Sequence, residues 1–445
     1  MSSFVHRALI AASVAAVLAG SASAQMLPRV GLPALPPVNL PTRDVPLVGP
    51  AIQTILEQPG AREAVSPTLN SVSGLTKQIA DAPAATLLEL RQLRLRELIR
   101  QNLRELENDG TGLPVRRGVL VAIDPDPASI QIAARAGFAV LADDRDPELG
   151  LRTVTLSVPR NLSTRQGLKR LRSVAPGLQV DFDHIYEPAG GDLLTFAGAL
   201  AASPGVGGGP RIGIVDGGVA AHPSMARASI EQNGFAGRPQ PTGHGTAVAS
   251  LIVGNQGPFR GAAQGASLFV ADVYGGSRAA GSATSIARAL GWLASKRPQV
   301  INISLVGPQN RVVQRAVQAI RARGIGIVAA VGNDGPAAPP QYPASYPGVI
   351  AVTGVDARGR ALPEAGKAGH LDFAAPGADM AAALPGKGFA KVRGTSFAAP
   401  YAAARLAIAG SAQRLAAEAR PGKGRVGRGI VCGACRIDPN AVRAK

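Results

Sequence analysis

The feature that most constrains this chain is a series of short apolar runs in its C-terminal half, separated by helix-forming stretches. Arg211-Ile-Gly-Ile-Val-Asp216 reads as a buried strand with a carboxylate at its C-terminal edge. Val300–Ser304 and Gly326–Val331 are further strand-like runs, with a helical stretch, Val312–Arg321, between them. Thr242-Gly-His244-Gly opens an Ala/Val/Leu helix, and Gly394-Thr-Ser396 opens an Ala-rich one that continues to Ala409. Strands apolar along their whole length and alternating with helices imply a parallel sheet covered on both faces. In such sheets the ligand crevice lies outside the C-terminal ends of the strands.

Three chemically distinct side chains fall at those places: Asp216 at a strand end, and His244 and Ser396 at helix starts. A serine hydroxyl is a poor nucleophile until a neighbouring imidazole takes its proton. The imidazole needs a carboxylate to fix its tautomer and stabilise the imidazolium. Unpaired N–H groups at a helix N-terminus favour developing negative charge, and Asn333, in Gly332-Asn-Asp-Gly335, adds a side-chain donor. A lone Gly-Thr-Ser is also an ordinary helix N-cap. Ser396 gains weight from the acid and the base that precede it.

IGIVDGG, GHGTAVAS, AAVGNDG and GTSFAAP follow one another, with YPASYPGVIAVTG before the last. These motifs, spread from about Arg211 to Ala409, resemble those of the subtilisin-like serine proteases, the subtilases. The resemblance implies that Asp216 is the orienting acid, His244 the general base and acid, Ser396 the nucleophile and Asn333 the oxyanion-hole side chain. It further implies a cleft lined by Tyr274, Gly275 and Gly276 and by Ser304, Leu305, Val306 and Gly307, where an extended polypeptide pairs as an added strand. No cofactor is required on this reading and no metal ligand set is named. Calcium enters through the resemblance alone, because no run of closely spaced acids forms a calcium loop. Three positions depart from the family pattern. Gly217 stands where Thr or Ser is usual, Val306 where Gly is usual, and Tyr401 where a non-catalytic His is frequent.

Residues 1–24 have a basic start, an apolar run and a small-residue cleavage signal, the layout of a secretory signal peptide. A Pro-rich spacer (25–50) and a helical segment (51–112, clearest from Leu87 to Leu106) follow. Residues 113–188 carry strand and helix patterns in the order β-α-β-β-α-β, that of a small ferredoxin-like domain. This domain is similar to subtilase propeptides, and the resemblance places its tail, near His184–Glu187, in the active site before cleavage; a permanent accessory domain is the alternative. Asp181, Asp183 and His184 read as edge-strand polar residues, not as metal ligands, and His222 and His370 as ordinary surface or loop histidines. Residues 189–210 are a linker and candidate processing region, 211–410 the peptidase domain, and 411–445 a basic tail. The fold class expected is α/β: a subtilisin-like parallel sheet with helices on both faces, preceded by a small ferredoxin-like α+β prodomain.

Composition limits the partners. The net charge of +18 is concentrated at the end of the chain, where Arg405–Lys445 holds nine basic residues against two acidic. Aromatics are only 4% of the chain, too few for stacking platforms, so a solvated basic terminus is expected and no nucleic-acid partner. After the leader no apolar stretch approaches the roughly 18 residues that a spanning helix needs. Export is expected, to a periplasm or out of the cell, and in that oxidising setting Cys432 and Cys435 read as a short-loop disulfide. The function these readings converge on is a monomeric serine endopeptidase that cleaves polypeptides through an acyl-enzyme and is made as an autoprocessed zymogen restrained by its own propeptide. A catalytically impaired, peptide-binding scaffold of the same family is the alternative.

Overall fold

Alternation along Arg211–Asp216 sets the layout. Ile212 and Ile214 are buried against one hydrophobic cluster and Val215 against another, so the strand must sit inside a layer with two covered faces. The computed structural model describes residues 84–189, 199–201, 203–204, 208–386 and 388–444. The leader, the Pro-rich spacer, residues 51–83 and most of the linker lie outside the described residues.

Helix α1 (Ala84–Gln101) comes first, with Leu87, Leu95 and Leu98 buried. Strands β1 (Leu106–Asn108) and β2 (Pro114–Ile123), helix α2 (Pro127–Arg135), strands β3 (Ala139–Asp146) and β4 (Leu151–Ser157), helix α3 (Thr164–Val174) and strand β5 (Val180–His184) follow. The sheet runs β5-β2-β4-β3, antiparallel throughout, and its core includes Leu120, Val154, Leu156, Leu168, Leu171 and Val180. Local chemistry explains the helix starts. Asp126 caps α2 by accepting from the Ser129 N–H, and Ser163 with Gln166 forms a reciprocal capping box on α3. Two expectations change. The helical segment ends at Gln101, leaving Leu103 exposed, and Leu106 instead begins β1. Because β1 pairs with Pro114–Arg116, a boundary at 112/113 would cut through a hairpin.

The large sheet is built from β7 (Ser203–Pro204), β8 (Arg211–Asp216), β9 (Ser229–Gly234), β10 (Ser267–Asp272), β11 (Val300–Ile303), β12 (Gly326–Ala330), β13 (Ile350–Val355) and β14 (Phe373–Pro376); a short strand, β6 (Glu187–Pro188), precedes them. Its order is β14-β13-β12-β11-β8-β10-β9-β7, parallel except for β7, which runs antiparallel to β9 at the edge. Helices α4 (Gly243–Val253) and α7 (Thr395–Ala409) pack with Ile212, Ile214 and Val328. Helices α5 (Ala283–Ser295) and α6 (Arg311–Ala322) pack with Val215, Ile301 and Ile303 on the other face. Helix α7 is buried except at Arg405 and Ile408. Such a helix must be apolar all round, and its Ala content lets it lie close to the sheet.

The small sheet docks on α5 and α6 through carboxylates of β5, which is an edge strand as expected but gives its acids to helix N-termini rather than to solvent. Asp183 is buried and accepts from the Thr284 N–H at 2.9 Å and the Thr284 hydroxyl at 2.8 Å, in the first turn of α5. Asp181 accepts from the Arg311 N–H at 2.8 Å, the first residue of α6. Both satisfy donors that a helix leaves unpaired at its N-terminus. His184 is buried against Asn310, with Nδ1 3.1 Å from the Asn310 amide.

The C-terminal segment also differs from a solvated tail. After α8 (Ala412–Ala417) the chain folds back so that Val426, Ile430, Val431 and Ile437 are buried. Val431 donates to the Ala374 carbonyl of β14 at 2.8 Å. Four aliphatic anchors hold the backbone down while the basic side chains stay outside. Cys432 and Cys435 are bridged, with their Cα atoms 5.2 Å apart.

Candidate active site

Parallel pairing delivers Asp216 to the C-terminal end of a strand that has neighbours on both sides, and the crevice opens there. His244 stands in the first turn of α4, whose N-cap Thr242 accepts from the Gly245 N–H at 2.9 Å. The imidazole Nδ1 lies 2.9 Å and 2.8 Å from the two carboxylate oxygens of Asp216, and the Gly217 N–H donates to Oδ1 at 2.7 Å. The Phe397 ring stands 5.4 Å from the imidazole. Gly217 has a steric reason to lack a side chain: a Cβ there would collide with Thr242. A backbone N–H takes the place of the absent hydroxyl in holding Asp216.

Ser396 is the second residue of α7. Its hydroxyl and the His244 Nε2 are both buried, and neither makes a hydrogen bond within the protein. Such contacts often tighten only when substrate aligns the groups. The Ser396 carbonyl is positioned from an unexpected side. Pro400 has no N–H to close the helical bond back to residue 396. The carbonyl instead accepts the Ser304 hydroxyl at 2.9 Å, and Ser304 is itself held by the Asn302 amide at 2.9 Å. Asn333 accepts from the Thr395 N–H through Oδ1 at 2.9 Å, which leaves its amino group as the donor end.

The expected cleft walls are met by the chain itself. Strand β6 pairs antiparallel with Leu305–Val306, setting Pro188 opposite Leu305 and Glu187 opposite Val306. The Ala189 N–H donates to the Ser304 carbonyl at 2.9 Å. On the other flank the Tyr186 N–H donates to the Gly281 carbonyl at 2.7 Å, and Ile185 bridges to Ser282. Tyr186 is fully buried; its hydroxyl donates to the Pro308 carbonyl at 2.8 Å, and Tyr274 donates to the Tyr186 carbonyl at 3.3 Å. Burial pushes both phenols well above their ordinary range, so each is a neutral donor. Gly307 lies against the Tyr186 ring, where a Cβ would overlap it.

Gly275 and Gly276 lie elsewhere, against Ala236 and Gln240 of the loop before α4. Gly281 and Ser282, which supply the second flank, were not singled out from sequence. The only local signal is a small-residue run, Ala279-Ala-Gly-Ser282, just before a helix. Asp272 is structural: it accepts from the N–H groups of Gln240, Tyr274 and Gly275 at 2.7–3.0 Å and ties two loops together. Burial pushes its carboxyl up against those three donors. His222 is buried, not at the surface, and bonds Ser224 and Gly388. Tyr401 is buried with its hydroxyl unpaired.

Among the described residues no three His, Cys, Asp or Glu side chains converge to hold a metal ion. The calcium implied by the resemblance therefore has no side-chain cluster among the described residues. No helix among the described residues is long and apolar enough to cross a membrane.

Comparison with known proteins agrees with this geometry. Residues 207–419 match the model of the subtilase family. Subtilisin Savinase of Lederbergia lenta is 33% identical over 208 residues, which cover 45% of this chain and 76% of that protein. The alkaline protease of Alkalihalobacillus alcalophilus is also 33% identical over 208 residues, covering 45% of this chain and 54% of that protein. Among solved structures, fervidolysin from Fervidobacterium pennivorans, a keratinolytic enzyme related to subtilisin, aligns with a TM-score of 0.59 at 18% identity. That alignment covers 74% of this chain and 61% of the other, and it speaks to the fold alone. Sheet order, acid–base pair, motif order and sequence identity lead to one assignment: the chain belongs to the subtilase family of serine-type endopeptidases.

Proposed function

We propose that this protein is an exported serine endopeptidase made as a zymogen, and that its own residues Tyr186–Ala189 fill the substrate cleft until the Ala189–Gly190 bond is cut. The observation that carries the reading is the double role of Ser304. Its carbonyl takes the Ala189 N–H while its hydroxyl holds the Ser396 carbonyl, so one residue sets the register between tail and nucleophile.

In the proposed reaction Asp216 holds the Nδ1–H tautomer of His244, and Nε2 takes the hydroxyl proton as the Ser396 Oγ bonds to the Ala189 carbonyl carbon. The oxyanion that forms is met by the Ser396 N–H, at the positive end of α7, and by the Asn333 amino group. His244 returns its proton to the departing Gly190 amine, leaving Ala189 esterified on Ser396. Water then attacks this ester, with His244 again as the base. Polypeptides are the substrate class, because the cleft walls bind by backbone pairing. The leader-like start of the sequence supports export. A silent scaffold would have no use for a buried Asp–His pair, which costs desolvation.

N-terminal sequencing and intact mass of the processed protein test the proposal. A mature chain beginning at Gly190 is expected, labelled at Ser396 by a fluorophosphonate. An active, labelled chain that still carries residues 113–189 covalently would refute the zymogen reading.

Val306 bears on which residue is accepted at the cut. Its Cγ1 reaches within 3.4 Å of where a Cβ on Gly332 would stand, so it narrows the space between the cleft wall and the Asn333 loop. A small residue, such as Ala189, suits that space. Val306→Gly should raise kcat/KM for peptides with Phe at the cut position, relative to Ala, by roughly ten- to a hundred-fold, the scale of a few methylenes in an apolar pocket. An unchanged Phe/Ala ratio would show that Val306 does not set the limit.

A further inference from the structure

Helix α1 brings two guanidinium groups to a carboxylate beside Asn333. Arg91 Nε donates to Asp334 Oδ2 at 3.0 Å, and Arg94 Nη2 donates to Oδ1 at 2.9 Å. Arg94 also donates to the Glu187 carboxylate, through Nε at 3.3–3.4 Å and Nη2 at 3.3 Å. Because both carboxylates share Nη2, they stand at most about 6 Å apart. The helix is anchored there by Leu87 against Gly335, and by Leu98 packed with Ile185 and Ala279.

Chain order gives this contact its meaning. Arg91, Arg94 and Glu187 all lie upstream of the proposed cut, whereas Asp334 lies downstream. Glu187 is the third residue back from the cut bond, Ala189 being the first. Departure of the upstream part strips from Asp334, itself buried, both cations bonded to it. A substrate with an acid at the Glu187 position then meets a like charge with no guanidinium between, while one with a base meets an opposite charge.

We propose that Asp334 is a specificity-determining residue that selects a basic side chain three residues before the cut, and that Arg91 and Arg94 occupy this site until α1 departs. The proposal rests on the protease reading above. The tail itself carries the disfavoured charge, Glu187, and is tolerated only through Arg94. The same two arginines therefore mask the site and hold the tail, and losing one contact weakens the other.

The test uses enzyme matured from the full chain and two chromogenic peptides, Tyr-Lys-Pro-Ala-p-nitroanilide and its Tyr-Glu-Pro-Ala counterpart. At low salt kcat/KM for the Lys peptide should exceed that for the Glu peptide by about ten-fold, and the ratio should shrink towards one in about 1 M salt. Asp334→Asn should flatten the ratio while fluorophosphonate labelling of Ser396 persists, which separates lost selectivity from lost folding. In the full chain, Arg91→Ala with Arg94→Ala should shorten the lag before hydrolysis begins; an unchanged lag overturns the masking role. Equal cleavage of both peptides by a labelled enzyme, or an Asp334→Asn ratio like that of the wild type, overturns the selectivity and leaves the protease reading standing. A wild-type chain that neither labels nor hydrolyses overturns both.

Discussion

Ser396→Ala should lower kcat on a peptide substrate by about 10⁶-fold and leave the Ala189–Gly190 bond intact. The reasoning starts from what the substitution removes. Oγ is the only atom lost, it is buried, and it has no hydrogen-bond partner within the protein, so the fold loses almost nothing. The Ser396 carbonyl keeps its bond from Ser304, and the N–H at the start of α7 stays in place. What disappears is the covalent route, and with it the benefit of Asp216 and His244, which act only through the hydroxyl. Once added wild-type enzyme has cut the Ala189–Gly190 bond and freed the cleft, residual turnover should come from the oxyanion donors and from binding alone. Intact mass after incubation of the purified variant, with thermal unfolding as a control, is the decisive measurement. A variant that still cuts itself at residue 189 would mean that Ser396 is not the nucleophile.

Asp216→Asn should lower kcat by about 10⁴-fold with little change in KM. Both carboxylate oxygens face His244 Nδ1, and one also accepts the Gly217 N–H. An amide has only one acceptor oxygen. If that oxygen takes the Gly217 N–H, the amino group faces Nδ1 and forces the proton onto Nε2, where it blocks uptake from Ser396. If the amide turns the other way, its amino group confronts the Gly217 N–H and one buried donor goes unpaired. Either outcome leaves the cleft walls untouched, so substrate binding should persist. Steady-state kinetics on the short peptides, after added wild-type enzyme has cut the variant's Ala189–Gly190 bond and been removed, would check this. A loss confined to KM would contradict the assigned role.

Much of the framework could be read from the chain because it is written locally. The apolar runs at 211–216, 300–304 and 326–331 became strands of one covered parallel sheet, and Asp216 and His244 meet at its C-terminal edge. Features that needed distant partners were harder to see. Nothing near Asp183 announces that it will cap a helix a hundred residues later, since helix caps are ordinarily sought in the helix's own preceding residues. The dense basic content of residues 420–437 hid four aliphatic anchors that fix that segment on the core. Nothing in the sequence around Arg91 and Arg94 names their partners; only the fold reveals Asp334 and Glu187 opposite them. Pro400 is the instructive middle case. Its spacing of four from Ser396 was visible, and the missing N–H could have been deduced, but the hydroxyl that answers it comes from another strand end.

That proline changes what kind of object the catalytic helix is. With the Ser396 carbonyl excused from the internal ladder, the first turn of α7 belongs partly to the wall on which Glu187–Ala189 pair. A displacement of that wall, caused by a badly fitting chain or a widened groove, is therefore transmitted through a single hydroxyl to the backbone of Ser396. Fit and reactivity are coupled mechanically, and a poor guest should slow the chemistry before it weakens the grip.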